Sequence, residues 1–213
     1  MTNLMNLRGD WLNGYLAFCK LFKQRRFISS SDIKNRYNLQ KAITSLYIFP
    51  SFFRGVHYIP SQRERKGQFI EKPMEFFYDL FNYVYGRGKW YWALSTAARY
   101  HGLEWSSGMI LEIMSTKQSK VIGVFARVSA LELKKSYRSK VLAKVLSSLG
   151  INHVIIHKGK KNSLKETKTD PEIGLVATKE RLLKDIELFL PKMRIGPIRR
   201  LYRAIRERAR AKS

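Results

Sequence analysis

A single cysteine, Cys19, occurs in 213 residues. One thiol cannot close an intramolecular disulfide or build a cysteine-based zinc finger. Cys19 falls on the apolar side of a helical pattern, so it is expected in a core, and a buried free thiol suits a reducing cytoplasm. Long apolar runs are missing too. No stretch approaches the length of a membrane-spanning helix. Residues 1–8 lack the apolar run of a secretory signal. A cytoplasmic protein with no membrane contact is therefore expected. Acidic residues are scarce: 16 Asp and Glu stand against 41 Lys and Arg, a formal net charge of +25. A heat-adapted proteome would balance Lys with Glu, and this chain does not. Charge of this size repels itself unless a polyanion is nearby. Nucleic acid is the first candidate, an anionic membrane surface the second and an acidic protein the third.

Several catalytic patterns are also absent. A restriction-type nuclease pairs carboxylates with a lysine, Asp…Asp/Glu-x-Lys, to hold a cation at the scissile phosphate. Glu112 has Met114 where that lysine belongs, and Asp170-Pro171-Glu172 has Gly174. Gly86-Arg87-Gly88-Lys89-Trp90 is too short for a phosphate-binding loop and runs into aromatics. His153 and His157 lie four apart in a β-favouring run, which separates them by about 13 Å along a strand, too far for one zinc. In a helix the two could chelate, though no Glu lies between them. No metal or other cofactor is expected, and no catalytic residue is assigned.

What the sequence does hold is an ordered set of DNA-reading pieces in residues 27–60. Ser29, Ser30 and Ser31 offer a helix N-cap, and Asp32 suits the positive end of a helix. The spacing predicts a short helix over 32–37, with Ile33 and Tyr37 on one face and Asn38 at a left-handed turn. A second helix is expected over 39–48, with Leu39, Ala42, Ile43, Leu46 and Tyr47 inward. Gln40, Lys41, Thr44 and Ser45 then face out, and Pro50 stops the helix. Residues 52–59 read as a strand pair around Arg54-Gly55. The order predicts an N-terminal winged helix-turn-helix. Its candidate DNA contacts are Lys34, Arg36, Gln40, Lys41, Thr44, Ser45, Arg54 and His57. A winged fold that serves protein contacts is the alternative.

Around that motif, Asp10 can cap a first helix whose inward stripe is Trp11, Leu12, Tyr15, Leu16, Cys19 and Phe22. Lys23, Gln24, Arg25 and Arg26 close it. Residues 61–68, charged with Gly67 near the end, read as a linker or a wing-proximal loop. The chain thus divides into a winged domain, 1–66, and a mixed α+β domain, 67–213. In the second part, helices are expected from Pro73 and over 90–100, 136–149 and 197–211, with another starting at Thr178. In the helix from Thr178, Leu182, Leu183, Ile186, Leu188 and Leu190 are expected on the apolar side. Strands are expected over 109–115, 120–128, 151–156 and 172–176, and a lysine-rich loop over 158–169. Trp90-Tyr91-Trp92 could stack bases but is expected to pack a core. The terminal helix carries Arg199, Arg200, Arg203 and Arg206 on its polar side, and Ile198, Leu201, Tyr202 and Ile205 on the other. It is a candidate nucleic-acid arm.

Three segments resemble the AbiE-type antitoxins, the AbiEi family of type IV toxin–antitoxin systems. The first is Arg54-Gly55-Val56-His57-Tyr58, similar to the family's Arg-Gly-Val-x-Tyr wing. The second is Ser95-Thr96-Ala97-Ala98-Arg99-Tyr100-His101-Gly102-Leu103, which resembles its Ser…Ser-Ala…His-Gly-Leu helix, with Thr96 replacing a small residue. The third is 176–185, similar to Val-Ala-x-x-Glu-Arg…Leu-x-Asp. The resemblance implies a repressor that autoregulates its operon through double-stranded operator DNA, and an antitoxin that counters a nucleotidyltransferase-like toxin. It makes Glu180, Arg181 and Asp185 candidates in the antitoxin domain; a helix-surface or packing role is the alternative. Two other classes stay open: a nuclease-like nucleic-acid-processing enzyme or its targeting subunit, and an architectural protein that binds nucleic acid without sequence preference.

Overall fold

The computed structural model describes residues 11–22, 25–33, 35–104, 110–192 and 196–211. In chain order its elements begin with α1 (Trp11–Leu21), β1 (Phe27–Ser29), a 3-10 turn (Ser30–Asp32), α2 (Arg36–Thr44), β2 (Phe49–Pro50), β3 (Val56–Tyr58) and α3 (Gln62–Gly67). There follow α4 (Pro73–Tyr85), β4 (Trp90–Trp92), α5 (Leu94–Tyr100), β5 (Ile110–Ser115), β6 (Lys120–Gly123), α6 (Val124–Glu132) and α7 (Tyr137–Ser147). The chain closes with β7 (His153–Lys158), a 3-10 run (Lys161–Glu166), β8 (Thr167–Asp170), β9 (Gly174–Ala177), α8 (Lys179–Phe189), a 3-10 turn (Leu190–Lys192) and α9 (Gly196–Ala211). The fold is mixed α+β, as expected.

Two compact units emerge. The first takes the chain up to Glu71 and residues 130–148; the second takes Lys72–Ser129 and Leu149–Ser213. In the first unit β3 lies between β1 and β2, antiparallel to both, with Phe27 opposite Tyr58 and Phe49 opposite Tyr58. The β2–β3 hairpin turns at Arg54-Gly55. Gly55 takes φ +76°, and its carbonyl accepts from the Ser30 amide at 2.7 Å. Tyr15, Phe18, Phe22, Ile28, Ile33, Ala42, Ile43, Tyr47, Ile48 and Ile59 form the core. Val141, Ala143, Val145 and Leu146 of α7 are buried as well, and Lys140 and Lys144 are exposed. Val141 and Leu142 share a small cleft with Ile43, Leu46, Ile48, Phe49 and Pro50.

Several local expectations give way here. The helix expected over 32–37 is a single 3-10 turn, closed by Ser29 and Asp32 capping each other. The next helix starts at Arg36 because Asn35 Oδ1 accepts from the Tyr37 amide at 2.8 Å. Asn38 therefore sits inside α2, and Tyr37 is exposed. That helix stops at Thr44, and Leu46 adopts φ +56°. In α1, Phe18 takes the inward place expected of Leu16, which is exposed. The Asp10 cap, Lys23 and Gln24 lie outside the described residues.

The expected linker at 61–68 is the helix α3. Ser61-x-x-Glu64 is a reciprocal capping box, with the Ser61 amide donating to Glu64 Oε2 at 2.8 Å and the Glu64 amide to Ser61 Oγ at 3.1 Å. Glu64 and Arg65 are buried, not solvated. Glu64 Oε2 also accepts from Tyr58 Oη at 2.5 Å, and Oε1 accepts from the Glu71 amide at 3.1 Å. The Arg65 guanidinium lies 4.4 Å from the Tyr15 ring centre and 4.8 Å from that of Tyr47.

The second unit holds a six-stranded sheet in the order β6-β7-β5-β4-β9-β8. The pairs β5–β7 and β4–β9 are parallel; β4–β5, β6–β7 and β8–β9 are antiparallel. The helix expected over 90–100 splits, because Trp90, Tyr91 and Trp92 form β4 before α5 begins at Leu94. Aromatics favour strands, and all three are buried. The Phe81 ring centre is 5.3 Å from that of Trp90 and 5.7 Å from that of Trp92. The strand expected over 120–128 ends at Gly123, where the Val124 amide turns to the Asn152 carbonyl at 2.7 Å and α6 begins. The expected loop over 158–169 contains a 3-10 run and the start of β8. Gly174 at the β8–β9 turn has φ +84°, and a Cβ there would meet the Tyr78 ring at 2.4 Å. Thr178 caps α8 as expected, Leu182 and Ile186 are buried, and Leu188 is exposed.

Phe81→Ala should destabilise the chain by about 3–5 kcal/mol, the usual cost of emptying an aromatic site in a packed core. Urea unfolding followed by tryptophan fluorescence, which reads Trp90 and Trp92 beside the deletion, measures it.

Candidate nucleic-acid interface and a buried carboxylate

On α2 the exposed positions Arg36, Gln40 and Thr44 succeed one another four apart, so they lie along one side of the helix. Lys41 and Ser45 flank them, half-buried. The Thr44 hydroxyl is engaged within the helix, donating to the carbonyls of Gln40 and Lys41, each at 3.0 Å. Its methyl, the Gln40 amide and the Arg36 guanidinium are what this side offers a ligand. Arg54 is exposed at the hairpin tip. His57 does not join them. It is buried on β3, and its Nε2 lies 2.9 Å from Ser30 Oγ, so it ties the hairpin to the turn after β1. Lys34 lies outside the described residues.

The terminal helix divides by side. Tyr202, Ile205 and Ala209 are buried, with Leu201 half-buried; Ala209 extends the expected stripe. The side chain of Ile198 lies outside the described residues. Arg199, Arg200 and Arg203 are exposed and Arg206 partly so. Near the end, Arg208 Nη1 donates to the Leu103 carbonyl at 3.1 Å, and Arg210 pairs with Glu187 at 3.0 Å.

The three residues singled out on α8 part company. Glu180 is exposed near the start of the helix. Asp185 is buried, not on the helix surface: it accepts from Tyr91 Oη at 3.0 Å and from two nitrogens of Arg181, Nε at 2.9 Å and Nη2. Arg181 also lies 3.6 Å from Glu166, which pairs with Lys184 at 2.6 Å. Burial leaves the Asp185 carboxyl above its ordinary pKa despite Arg181. Burial acts against the charge on Arg181 too, but the bond to Asp185 outweighs it and holds the guanidinium above its own value. The two directions pull apart, and two donors on one oxygen favour the ionised pair. The segments 95–103 and 176–185 are brought together in this unit: His101 Nε2 lies 2.7 Å from the Ala177 carbonyl.

The same unit holds a group whose sequence context suggests only a failed nuclease carboxylate. Glu112, midway along β5, is 1% exposed. Its Oε1 meets His157 Nε2 at 2.9 Å and accepts from Tyr202 Oη; its Oε2 accepts from the Ser95 amide at 3.0 Å. Its own amide donates to Thr96 Oγ1 at 2.7 Å. One carboxylate thus gathers β7, α5 and α9. Burial works to raise its pKa; the bonds from His157, Ser95 and Tyr202 outweigh it and hold the carboxyl below its ordinary value. A glutamate in the apolar run Ile110-Leu111-Glu112-Ile113-Met114 is the signal that partners are needed. Which partners is a matter of topology.

No family model matches the chain, and no curated protein matches it. Among the described residues, no group of three or more His, Cys, Asp or Glu side chains is placed to hold a metal ion. His153 is exposed at the start of β7, while His157 is buried against Glu112. Among the described residues no helix is long and apolar enough to cross a membrane.

Removing one partner of this network should be costly. Tyr202→Phe should lose about 1–3 kcal/mol and Glu112→Ala about 3–5 kcal/mol, since each leaves buried donors or acceptors unmatched. The pH dependence has a definite sign. A depressed carboxyl pKa contributes stability that is complete above the ordinary value of 4.5 and is lost as pH falls through the lower folded value. Urea unfolding at a series of pH values should show stability falling below about pH 4.5, and less steeply in Glu112→Gln.

Proposed function

We propose that this protein is a non-enzymatic, DNA-binding transcriptional repressor whose first unit is a winged helix-turn-helix. One observation carries the reading: the order α1, β1, turn, α2, β2, β3, with β3 between β1 and β2. This order is the one expected of a winged helix, with α2 as the recognition helix and the Arg54-Gly55 hairpin as the wing. Arg36 and Gln40 have no side-chain partner among the described residues, and a major groove would supply one. The net charge of +25 supports a polyanionic partner. The helix preceding the recognition helix is cut to one 3-10 turn, so the reading rests on the sheet order and on α2.

The antitoxin role is the second half of the proposal. It rests on the AbiEi-like segments, two of which, 95–103 and 176–185, pack together through His101 and Ala177. Of the three candidate residues on α8, Glu180 is the outward one, and Arg181 and Asp185 hold the helix to Tyr91. A toxin-facing role therefore falls to Glu180, and its neighbours position α8.

Two measurements test these halves. Fluorescence anisotropy should find that Gln40→Ala or Lys41→Ala lowers preference for DNA upstream of the protein's own reading frame by about 1–3 kcal/mol relative to random duplex. Arg36→Ala should weaken both alike. Equal losses on both duplexes from Gln40→Ala and Lys41→Ala would remove the recognition-helix assignment. For the antitoxin half, cells co-expressing the neighbouring open reading frame should keep their growth rescue with Gln40→Ala but not repression. Point changes suit this better than cutting the chain, because residues 130–148 belong to the first unit. Rescue lost together with repression, in a folded variant, would overturn the separation.

A further inference from the structure

Helix α9 carries more cationic groups than its own unit neutralises. Arg208 and Arg210 are engaged by Leu103 and Glu187. Arg199, Arg200, Arg203 and Arg206 have no hydrogen-bond or ion-pair partner among the described residues. The helix cannot turn these arginines inward, because Tyr202, Ile205 and Ala209 are buried, with Tyr202 bonded to Glu112. The positions 199, 203 and 206 follow the four-then-three spacing of one helix side. At 1.5 Å per residue they span about 10 Å. Duplex DNA presents one charge per roughly 1.7 Å of axis, so a ridge of this length meets several phosphates.

We propose that α9 is a second nucleic-acid contact, a ridge formed by Arg199, Arg200, Arg203 and Arg206 that grips the phosphate backbone of a duplex without reading sequence. The assignment is independent of the operator reading, since α9 belongs to the second unit and α2 to the first. A membrane surface is disfavoured by the same burial that fixes the helix. An interfacial helix needs an apolar side to insert, and the apolar side of α9 is already committed to the unit's interior. The planar guanidinium fork matches phosphate oxygens in pairs.

The test uses the full-length chain and a duplex of random sequence, about three helical turns long. Affinity is measured by anisotropy between about 50 and 200 mM salt for the parent and for R199A/R203A/R206A. The slope of log affinity against log salt should become shallower by roughly 3, about 0.9 for each phosphate no longer neutralised. Affinity for operator and random duplex should fall by the same factor, which separates failure here from failure of the recognition helix. R199K/R203K/R206K keeps the charges and should keep the slope to within about one unit. If the alanine variant melts early by circular dichroism, Arg203→Ala alone replaces it, with an expected slope change of about 1. A folded alanine variant with an unchanged slope overturns the proposal. So does a lysine variant whose slope collapses like that of alanine. A third overturning result is a folded alanine variant that loses binding to phosphatidylglycerol vesicles while its duplex affinity is intact.

Discussion

The carboxylate of Glu112 is the point on which the second unit turns. An ionised group at that depth is tolerable only where fixed donors replace water. Here a histidine ring, a phenol and a backbone amide do so from β7, α9 and α5. Each donor reaches the carboxylate only when its element is correctly seated, so the solvation of one residue becomes a condition on three. Apolar packing favours contact but tolerates slippage. A carboxylate short of a donor does not, which is why such networks specify a single arrangement.

The first unit solves a similar problem with different means. Glu64 and Arg65 are adjacent in sequence and both buried, yet they do not satisfy each other. Glu64 is filled by a phenol and two amides, and Arg65 lies against two tyrosine rings. Burial opposes ionisation of Glu64, and the Tyr58, Ser61 and Glu71 bonds outweigh it to hold its carboxyl below the ordinary value. For Arg65, desolvation lowers the guanidinium below its usual pKa even beside the tyrosines. The short helix α3 therefore covers the aromatic cluster of Tyr15 and Tyr47, and Tyr58 joins it to β3.

What can be read from the sequence follows from how local each signal is. Capping residues with a clear helix after them, such as Thr178 and Ser136, mark starts that hold. The turn at Arg54-Gly55 is legible because a glycine marks its tip, but the strand before it lies at Phe49–Pro50, upstream of the expected 52–59. Failures come where a local pattern competes with a partner far along the chain. Trp90-Tyr91-Trp92 continues a helical spacing, but β5 and β9 claim it as a strand. Residues 61–68 look solvated by composition, although Ser61 and Glu64 carry the capping box that makes them helical. On the candidate sites, exposure is legible for Gln40, Thr44, Arg54 and Arg203, which sit on the polar side of simple patterns. It is not legible for His57 and Asp185, whose burial depends on Ser30, Tyr91 and Arg181. Nothing in the sequence alone joins Glu112 to Tyr202, 90 residues later.

The assignment of residues 130–148 to the first unit bears on how the chain is made. Synthesis proceeds from the N-terminus, and domains generally fold as units while it does so. The last element of the first unit to leave the ribosome is α7, and β4, β5 and β6 of the other unit all precede it. The cleft side of Ile43, Ile48 and Phe49, which Val141 and Leu142 help line, stays uncovered through that interval. Exposed apolar surface of this kind invites aggregation or chaperone binding. Slow translation between codons 72 and 130 would prolong the exposure, so the speed of decoding in the middle of the gene bears on the yield of its beginning.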